Sequence, residues 1–294
     1  MATINPLNIP TAASGTILQG QGVGTTSGWS TATYPSSTTS QQILYSTATN
    51  TVGQLTTANS KFPATNASGT LAMRAFSINV QKFTYTGSTQ TYTPSTGMFQ
   101  CIIEAVGAGG GSGGVGGATG SASSGGVGGS GGEYGRNLLT SAQIGSSQTI
   151  TIGAGGSAGA SGGGNGGNGG NTSIGTLLVC IGGGGGIYYN NAAAGVAYGI
   201  QGGYGGTASA GQYFFIQGGA GGTASNISTA AFGSFGGSSY FCGITPAVVS
   251  NSAGLSPLEG YGGGAAGATA TNSTANAGAA GAPGVVIITE YIIN

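Results

Sequence analysis

The sequence predicts an all-β protein, an elongated homotrimeric fibre. Residues 1–96 form a Ser/Thr-rich shaft or attachment segment, and residues 97–294 a glycine-rich β-sandwich head. Three observations lead there. Only 8 of the 67 glycines precede residue 97, and the other 59 fall in the remaining 198 residues, where apolar runs alternate with glycine fields. Charged residues make up 3% of the chain and cancel, against about 25% in ordinary domains; a surface so bare favours association. The glycine-poor part carries a weak repeat of large apolar residues.

In that repeat Ile17 and Trp29 are 12 residues apart, as are Ile43 and Leu55, and Leu71 and Phe83. Successive pairs start 26 and 28 residues on, and SGTIL at 14–18 echoes SGTLA at 68–72. Units with so few apolar residues close no core within one chain and bury them only against neighbours. Three chains about one axis bury Ile17, Trp29, Ile43, Leu55, Leu71 and Phe83 and leave Ser and Thr outside. A disordered Ser/Thr-rich leader is the alternative, and the regular placing of Ile, Leu and Trp speaks against it.

The chain opens MATINPLNIP, without the basic and apolar runs of a signal peptide. No apolar run approaches the roughly 18 residues of a membrane helix. Cys101, Cys180 and Cys242 are odd in number and sit among Ile, Val or Phe. They read as buried free thiols of a reducing compartment. With no His and no CxxC, neither a metal site nor a cofactor is expected.

The head opens with KFTYTGSTQTYTPSTGMFQ at 82–100, where Thr and Tyr favour pleated surface and Thr86-Gly87-Ser88 and Thr93-Pro94 turn the chain. A hairpin is expected there. Further strands are expected at 98–106, 148–152, 176–181, 212–217, 239–242 and 284–293. The last, GVVIITEYII, is the most apolar, and its place is beside 98–106. Glycine fields fill 107–132, 153–170, 182–206 and 260–284. Within 107–132, 15 of 26 residues are Gly, and each costs roughly 1 kcal/mol against Ala in a helix interior. Such a field is a floppy linker, a set of tight loops, or an extended helix of three residues per turn that packs backbone against backbone. Fields that return between fixed strands, with Asn and Ala at their borders, favour ordered packing or tight loops.

Chemistry finds little to work with. Glu104 and Glu290 lie on expected neighbouring strands, where paired carboxylates could hydrolyse glycosides. The plainer reading has them facing out or pairing with Arg74 or Arg136. There is no His or Asp to complete a catalytic set, so no enzyme is expected. The glycines of 182–186 lack the Lys and Ser/Thr of a phosphate loop. Four cations make no nucleic-acid face. Recognition is the better use of the aromatic residues that interrupt the glycine fields, since rings among small residues make good contact surfaces. Tyr188, Tyr189, Tyr198 and Tyr204 are the candidate receptor-binding residues, and Phe214, Phe215 and Phe241 are expected to fill the core.

The runs TPSTGMFQCIIEAVGAGGG, GGEYGRNLLTSAQIGSSQTITIGAGG, GGNTSIGTLLVCIGGGGG and GAPGVVIITEYI together resemble the glycine-rich C-terminal domain of bacteriophage tail-fibre and related adhesin proteins. SGTILQGQGVGTTSGWSTATYP and QILYSTATNTVGQLTTANSK are similar to repeats of phage fibre shafts. The resemblance implies a homotrimeric virion fibre, made in the host cytoplasm. Its N-terminal part would join other virion structural proteins, and its distal part would contact a glycan or outer-surface protein of the host. Two other classes stay open. One is a structural decoration or capsid fibre with no receptor. The other is an ice-binding polyglycine protein, which needs strict three-residue glycine periodicity where these fields are irregular.

Overall fold

The computed structural model describes residues 41–49, 51–65, 68–120, 122–192, 197–198, 212–227 and 230–294, together with the backbone of 18–19 and 28–29. Ile17 and Tyr204 lie outside the described residues. The chain divides into two compact units, Met1–Ser77 with Ile293–Asn294, and Ile78–Ile292. The composition shifts at residue 97 because the glycine-poor stretch 78–96 belongs to the second unit.

In the first unit β1 (Leu18–Gln19) pairs with β2 (Gly28–Trp29), Leu18 opposite Trp29. β3 (Gln42–Ala48) and β4 (Thr51–Thr56) form a hairpin with Ile43 opposite Leu55. The spacing of 12 between Ile43 and Leu55 is therefore the path around a hairpin. β5 (Lys61–Thr65) pairs with the start of β6 (Leu71–Thr84), Thr65 opposite Leu71. Leu71 and Phe83 depart from the repeat and stand on one strand, since no Gly or Pro interrupts LAMRAFSINVQKFT.

The second unit takes the rest of β6, then β7 (Gln90–Tyr92) and β8 (Met98–Val106). β9 (Ser123–Gly126), β10 (Tyr134–Thr140) and the single helical turn α1 (Ser141–Ile144) follow. A reciprocal capping box between Thr140 and Gln143 starts that turn, and buried Ile144 anchors it. Next come β11 (Gln148–Thr151), β12 (Thr172–Ile174), β13 (Leu178–Cys180), β14 (Tyr188–Ala192) and β15 (Ala197–Tyr198). The remaining strands are β16 (Gln212–Ile216), β17 (Ala224–Ile227), β18 (Ala230–Phe232), β19 (Thr269–Ala270) and β20 (Val285–Ile293).

Two sheets enclose the core. One runs β16-β10-β8-β20-β6 and the other β13-β12-β11-β7. Between them lie Tyr92, Ile103, Leu139, Ile150, Ile174, Leu178 and Ile288, with Phe83 and Phe215 packed against the cluster. β20 pairs with β8 as expected, Ile288 opposite Ile103. The hairpin expected within 82–100 is absent. β6 and β7 join opposite sheets, and their Phe83 and Tyr92 rings meet edge to face at 6.3 Å across the core. Residues 239–242 make one antiparallel bridge, Ser239 to Cys242, and no strand. Phe214 is 57% exposed and Phe241 packs on the outer face of the sheet that holds β8, β10 and β20, so only Phe215 of the three packs against the core. Cys101 and Cys180 are buried free thiols, while Cys242 is half-buried.

The sandwich strands run on into the glycine fields, whose described stretches at 107–115, 127–133, 153–170, 182–187 and 262–284 pack as ordered extended helices. The N–H groups of 107–115 change partner with a period of three. Gly107, Gly110 and Gly113 donate to Glu133, Ser130 and Val127; Ala108, Gly111 and Gly114 donate to Gly170, Gly167 and Gly164. Gly109, Ser112 and Val115 donate to Ala282, Ala279 and Asn276. The carbonyls point the other ways. Ala108 and Gly111 accept from Gly183 and Gly186, Gly109 and Ser112 from Gly156 and Gly159, and Gly110 and Gly113 from Ala265 and Ala268. A helix of three residues per turn aims successive amides 120° apart, so 107–115 bonds six neighbours, three by donating and three by accepting. Backbone groups without water need such partners.

Glycine is required by this contact distance. A Cβ on Gly110 would fall well under 3.0 Å from the Gly184 carbonyl oxygen. Small side chains enter where room remains: Ala108, Ser112 and Val115 are fully buried, and the Ser112 hydroxyl accepts from Ala279 N–H at 2.9 Å. That is why the glycine pattern looks irregular although the bonding is regular. On one flank the motif NGGNGGN at 165–171 replaces a neighbouring helix. The side-chain oxygens of Asn171, Asn168 and Asn165 accept from the N–H groups of Gly182, Gly185 and Tyr188 at 3.0, 2.8 and 3.3 Å.

Candidate recognition surface at the end of the polyglycine bundle

Segment 107–118 leaves the sandwich at β8, and the antiparallel 127–133 returns to it at β10. At about 3.1 Å per residue the turn between them stands roughly 30 Å from the sandwich. The small sheet β14-β9-β19 lies at this far end. Tyr188 stands opposite Gly126 and Tyr189 opposite Gly125, and an irregularity follows before Ala192 meets Ser123. On the other side of β9, Thr269 faces Gly125 and Ala270 faces Ser124. Glycine and serine in the middle strand leave the tyrosines without bulky cross-strand neighbours.

Tyr188 is 39% exposed and Tyr189 half-buried. The Tyr188 ring lies on the turn at 161–163. Gly163, at φ 107°, lacks the Cβ that would stand 2.8 Å from ring atom Cε2. Asn190 ties the same place together: its Oδ1 accepts from Gly116 N–H at 2.7 Å and its Nδ2 donates to the Gly162 carbonyl at 3.3 Å. Tyr188 and Tyr189 are consecutive on one strand, so their side chains turn to opposite faces of the small sheet. Tyr198 lies in β15 with its backbone opposite Ala224. Trp29, Ile43, Leu55 and Leu71 lie on strands of the first unit, the last three half-buried, whereas Phe83 packs into the sandwich of its own chain.

The carboxylates do not form a pair. Glu104 and Arg136 face each other on β8 and β10, and Glu104 Oε1 accepts from the Tyr134 hydroxyl at 2.6 Å. Glu290 stands opposite Cys101, on the core side of the same sheet, and is fully buried. It neither faces solvent nor meets an arginine. Its oxygens accept from Tyr92 OH at 2.8 Å, Ser95 N–H at 2.9 Å, Ser95 Oγ at 2.6 Å and Asn79 Nδ2 at 2.8 Å. Burial raises the pKa of this carboxyl, but the bonds from Ser95, Tyr92 and Asn79 outweigh it and hold the group below its ordinary value. Burial, reinforced by Glu290, pushes the Tyr92 hydroxyl far up and the Cys101 thiol up to about 11. These are the marks of a structural clamp on the 93–96 turn, with no group poised for proton transfer near neutral pH.

Tyr240 is one of the rings that interrupt the glycine fields, but it is not among the candidate receptor-binding residues. It is 55% exposed and stacks on buried Tyr134 with ring centroids 4.0 Å apart. Its signals were its place as a ring among glycines and its position in SSYFCG, a stretch that reads as a strand.

Comparison with curated proteins returns no match. The stretch from residue 84 to residue 291, which holds nearly the whole sandwich and all of the polyglycine bundle, matches the glycine-rich domain family, and the chain belongs to that family.

Proposed function

We propose that this chain is a non-enzymatic fibre protein of a bacteriophage particle that attaches the virion to the host surface. The reading combines the resemblance of the sequence to phage fibres with one structural observation. A side-chain-poor bundle carries exposed Tyr188 and its neighbour Tyr189 about 25 Å from the sandwich. Aromatic rings anchor interfaces more effectively than the Ser, Thr and Asn around them. The N-terminal unit would join other virion proteins, and three chains would associate through it. The β3–β4 hairpin supports this: it is two-stranded, with Leu44 50% exposed and Ile43 and Leu55 half-buried, and such a hairpin alone is marginal in water.

Two measurements test the reading. Light scattering of the purified chain should give three times the mass of the 27.7 kDa chain; a stable monomer refutes the trimer. Particles in which Tyr188, Tyr189 and Tyr204 are all replaced by Ser should carry normal fibres and fail to adsorb. Normal adsorption with fibres in place points instead to a decoration fibre, or to a receptor surface elsewhere on the chain.

One observation favours a second reading, ice binding. The three-residue period absent from the glycine pattern is present in the bonding, and the exposed Asn165, Asn168 and Asn171 repeat at that period. Thermal hysteresis of the purified chain decides it.

A further inference from the structure

We propose that the step formed by Tyr240 beside Glu104 and Arg136, on the outer face of the sandwich, is a subsite for a neutral pyranose residue of a glycan. It is separate from the surface at the bundle end and does not rest on the virion reading.

On this face β8, β10 and β20 turn Val106, Tyr134, Val285 and Ile287 outward, and Phe241 and Tyr261 cover them. Tyr240 ends the covering layer. Its ring lies on Tyr134 at 4.0 Å and 22°, and Phe241 braces it edge-on at 5.1 Å. A ring so held covers Tyr134 with one face and, at 55% exposed, stands outside the main core on the opposite side of the sheet. It is a fixed platform. Beyond it, among the described residues, Arg136, Leu138 and Phe214 are exposed on this face. Glu104 is half-buried, and Tyr134 OH fixes its Oε1. Arg136 is exposed, opposite Glu104 on one side and opposite Phe214 on the other. Lys82, also exposed, lies 5.9 Å over the Tyr261 ring. Lys82, Glu104 and Arg136 are three of eight charged residues in the whole chain, and no ion pair among described residues consumes them.

A pyranose presents C–H groups on one face and hydroxyls around its rim. The face suits an aromatic platform. Neighbouring hydroxyls, each donor and acceptor, suit a carboxylate acceptor beside a guanidinium donor. An acidic sugar would bring its carboxylate against Glu104, so the neutral sugar is favoured. One ring stacked at one open site binds weakly, with Kd on the order of 1 mM.

The test is saturation-transfer NMR on the full chain with the methyl glycosides of glucose, galactose, mannose and N-acetylglucosamine. At least one should receive transfer at its ring C–H protons. Tyr240→Ala should abolish the signal and Tyr240→Phe keep it. Arg136→Met should weaken binding by about tenfold, the loss of one charge-assisted hydrogen bond, and Tyr188→Ser should change nothing. If Tyr240→Ala does not fold, the exposed Arg136→Met variant decides. No transfer from any glycoside overturns the proposal, as does undiminished binding in Tyr240→Ala or Arg136→Met. Transfer that Tyr188→Ser abolishes overturns it too, and assigns the sugar to the bundle end.

Discussion

Glu290 is a buried side chain on which several polar groups of the second unit converge. Four bonds from three residues meet on it, and those residues lie about 200 positions away in sequence. Replacing it by Gln removes the charge and leaves Tyr92 OH or Ser95 N–H poorly matched in the core. At pH 7 this should lower stability by about 2–4 kcal/mol. The pH dependence has a definite sign. The folded pKa lies below the unfolded one, so the contribution is complete above the unfolded value, near 4.3, and fades as pH falls through the folded value. Urea unfolding of wild type and Glu290→Gln should therefore differ at pH 7 and converge as the pH falls through the folded value; a gap unchanged by pH would remove the carboxylate from the account. Nothing in the residue pattern announces this hub. Alternation along VVIITEYII assigns Glu290 to one face of a strand, but whether that face meets water or Tyr92 depends on which sheet takes residues 90–92.

At the scale of elements, glycine in the bundle answers to contact distance. Gly110→Ala puts a methyl into the Gly184 carbonyl and should cost about 2–4 kcal/mol. Gly243→Ala, where a Cβ meets nothing within 4 Å, should stay within about 0.5 kcal/mol. Equal melting of the two variants would be incompatible with the packing described. The most apolar strands were legible, because apolar runs bounded by glycine read as buried strands: 98–106, 148–152, 176–181, 212–217 and 284–293 lie within two residues of β8, β11, β13, β16 and β20. β10, which joins β8 to β16, and the short strands of Ser, Gly, Thr and Ala were not. The helices between them were not legible as such. Ala108, Ser112 and Val115 break the glycine spelling while leaving the backbone path intact. Only NGGNGGN at 165–171 writes the period openly, because there side chains replace a missing neighbour.

For the molecule as a whole, the division into two units follows cooperation among strands, and composition locates it only approximately. The second unit, Ile78–Ile292, holds both a core and a bundle, and the bundle's amides are bonded on all sides. Native-state hydrogen exchange should find the amides of 109–114 among the slowest in the chain and those of 42–56 among the fastest, since opening the bundle breaks bonds to several segments together. Rapid exchange at 109–114 would mean that the segments come apart singly. The candidate surface was partly legible at this scale. Tyr188 and Tyr189 declare themselves as rings among glycines, but their position at the far end follows from β8, β10 and β13 all running into the bundle in register.

Along 107–132, 153–170, 182–187 and 262–284 the chain carries no acidic or basic side chain. The bonds that hold these segments join neutral amides, which neither titrate nor attract counterions in the range living cells inhabit. Brine, rain, acid soil and alkaline lake are one medium to such a structure. Whatever it carries at its end is presented in the same geometry in each of them, and sensitivity to surroundings falls to the few carboxylates where the glycine stops.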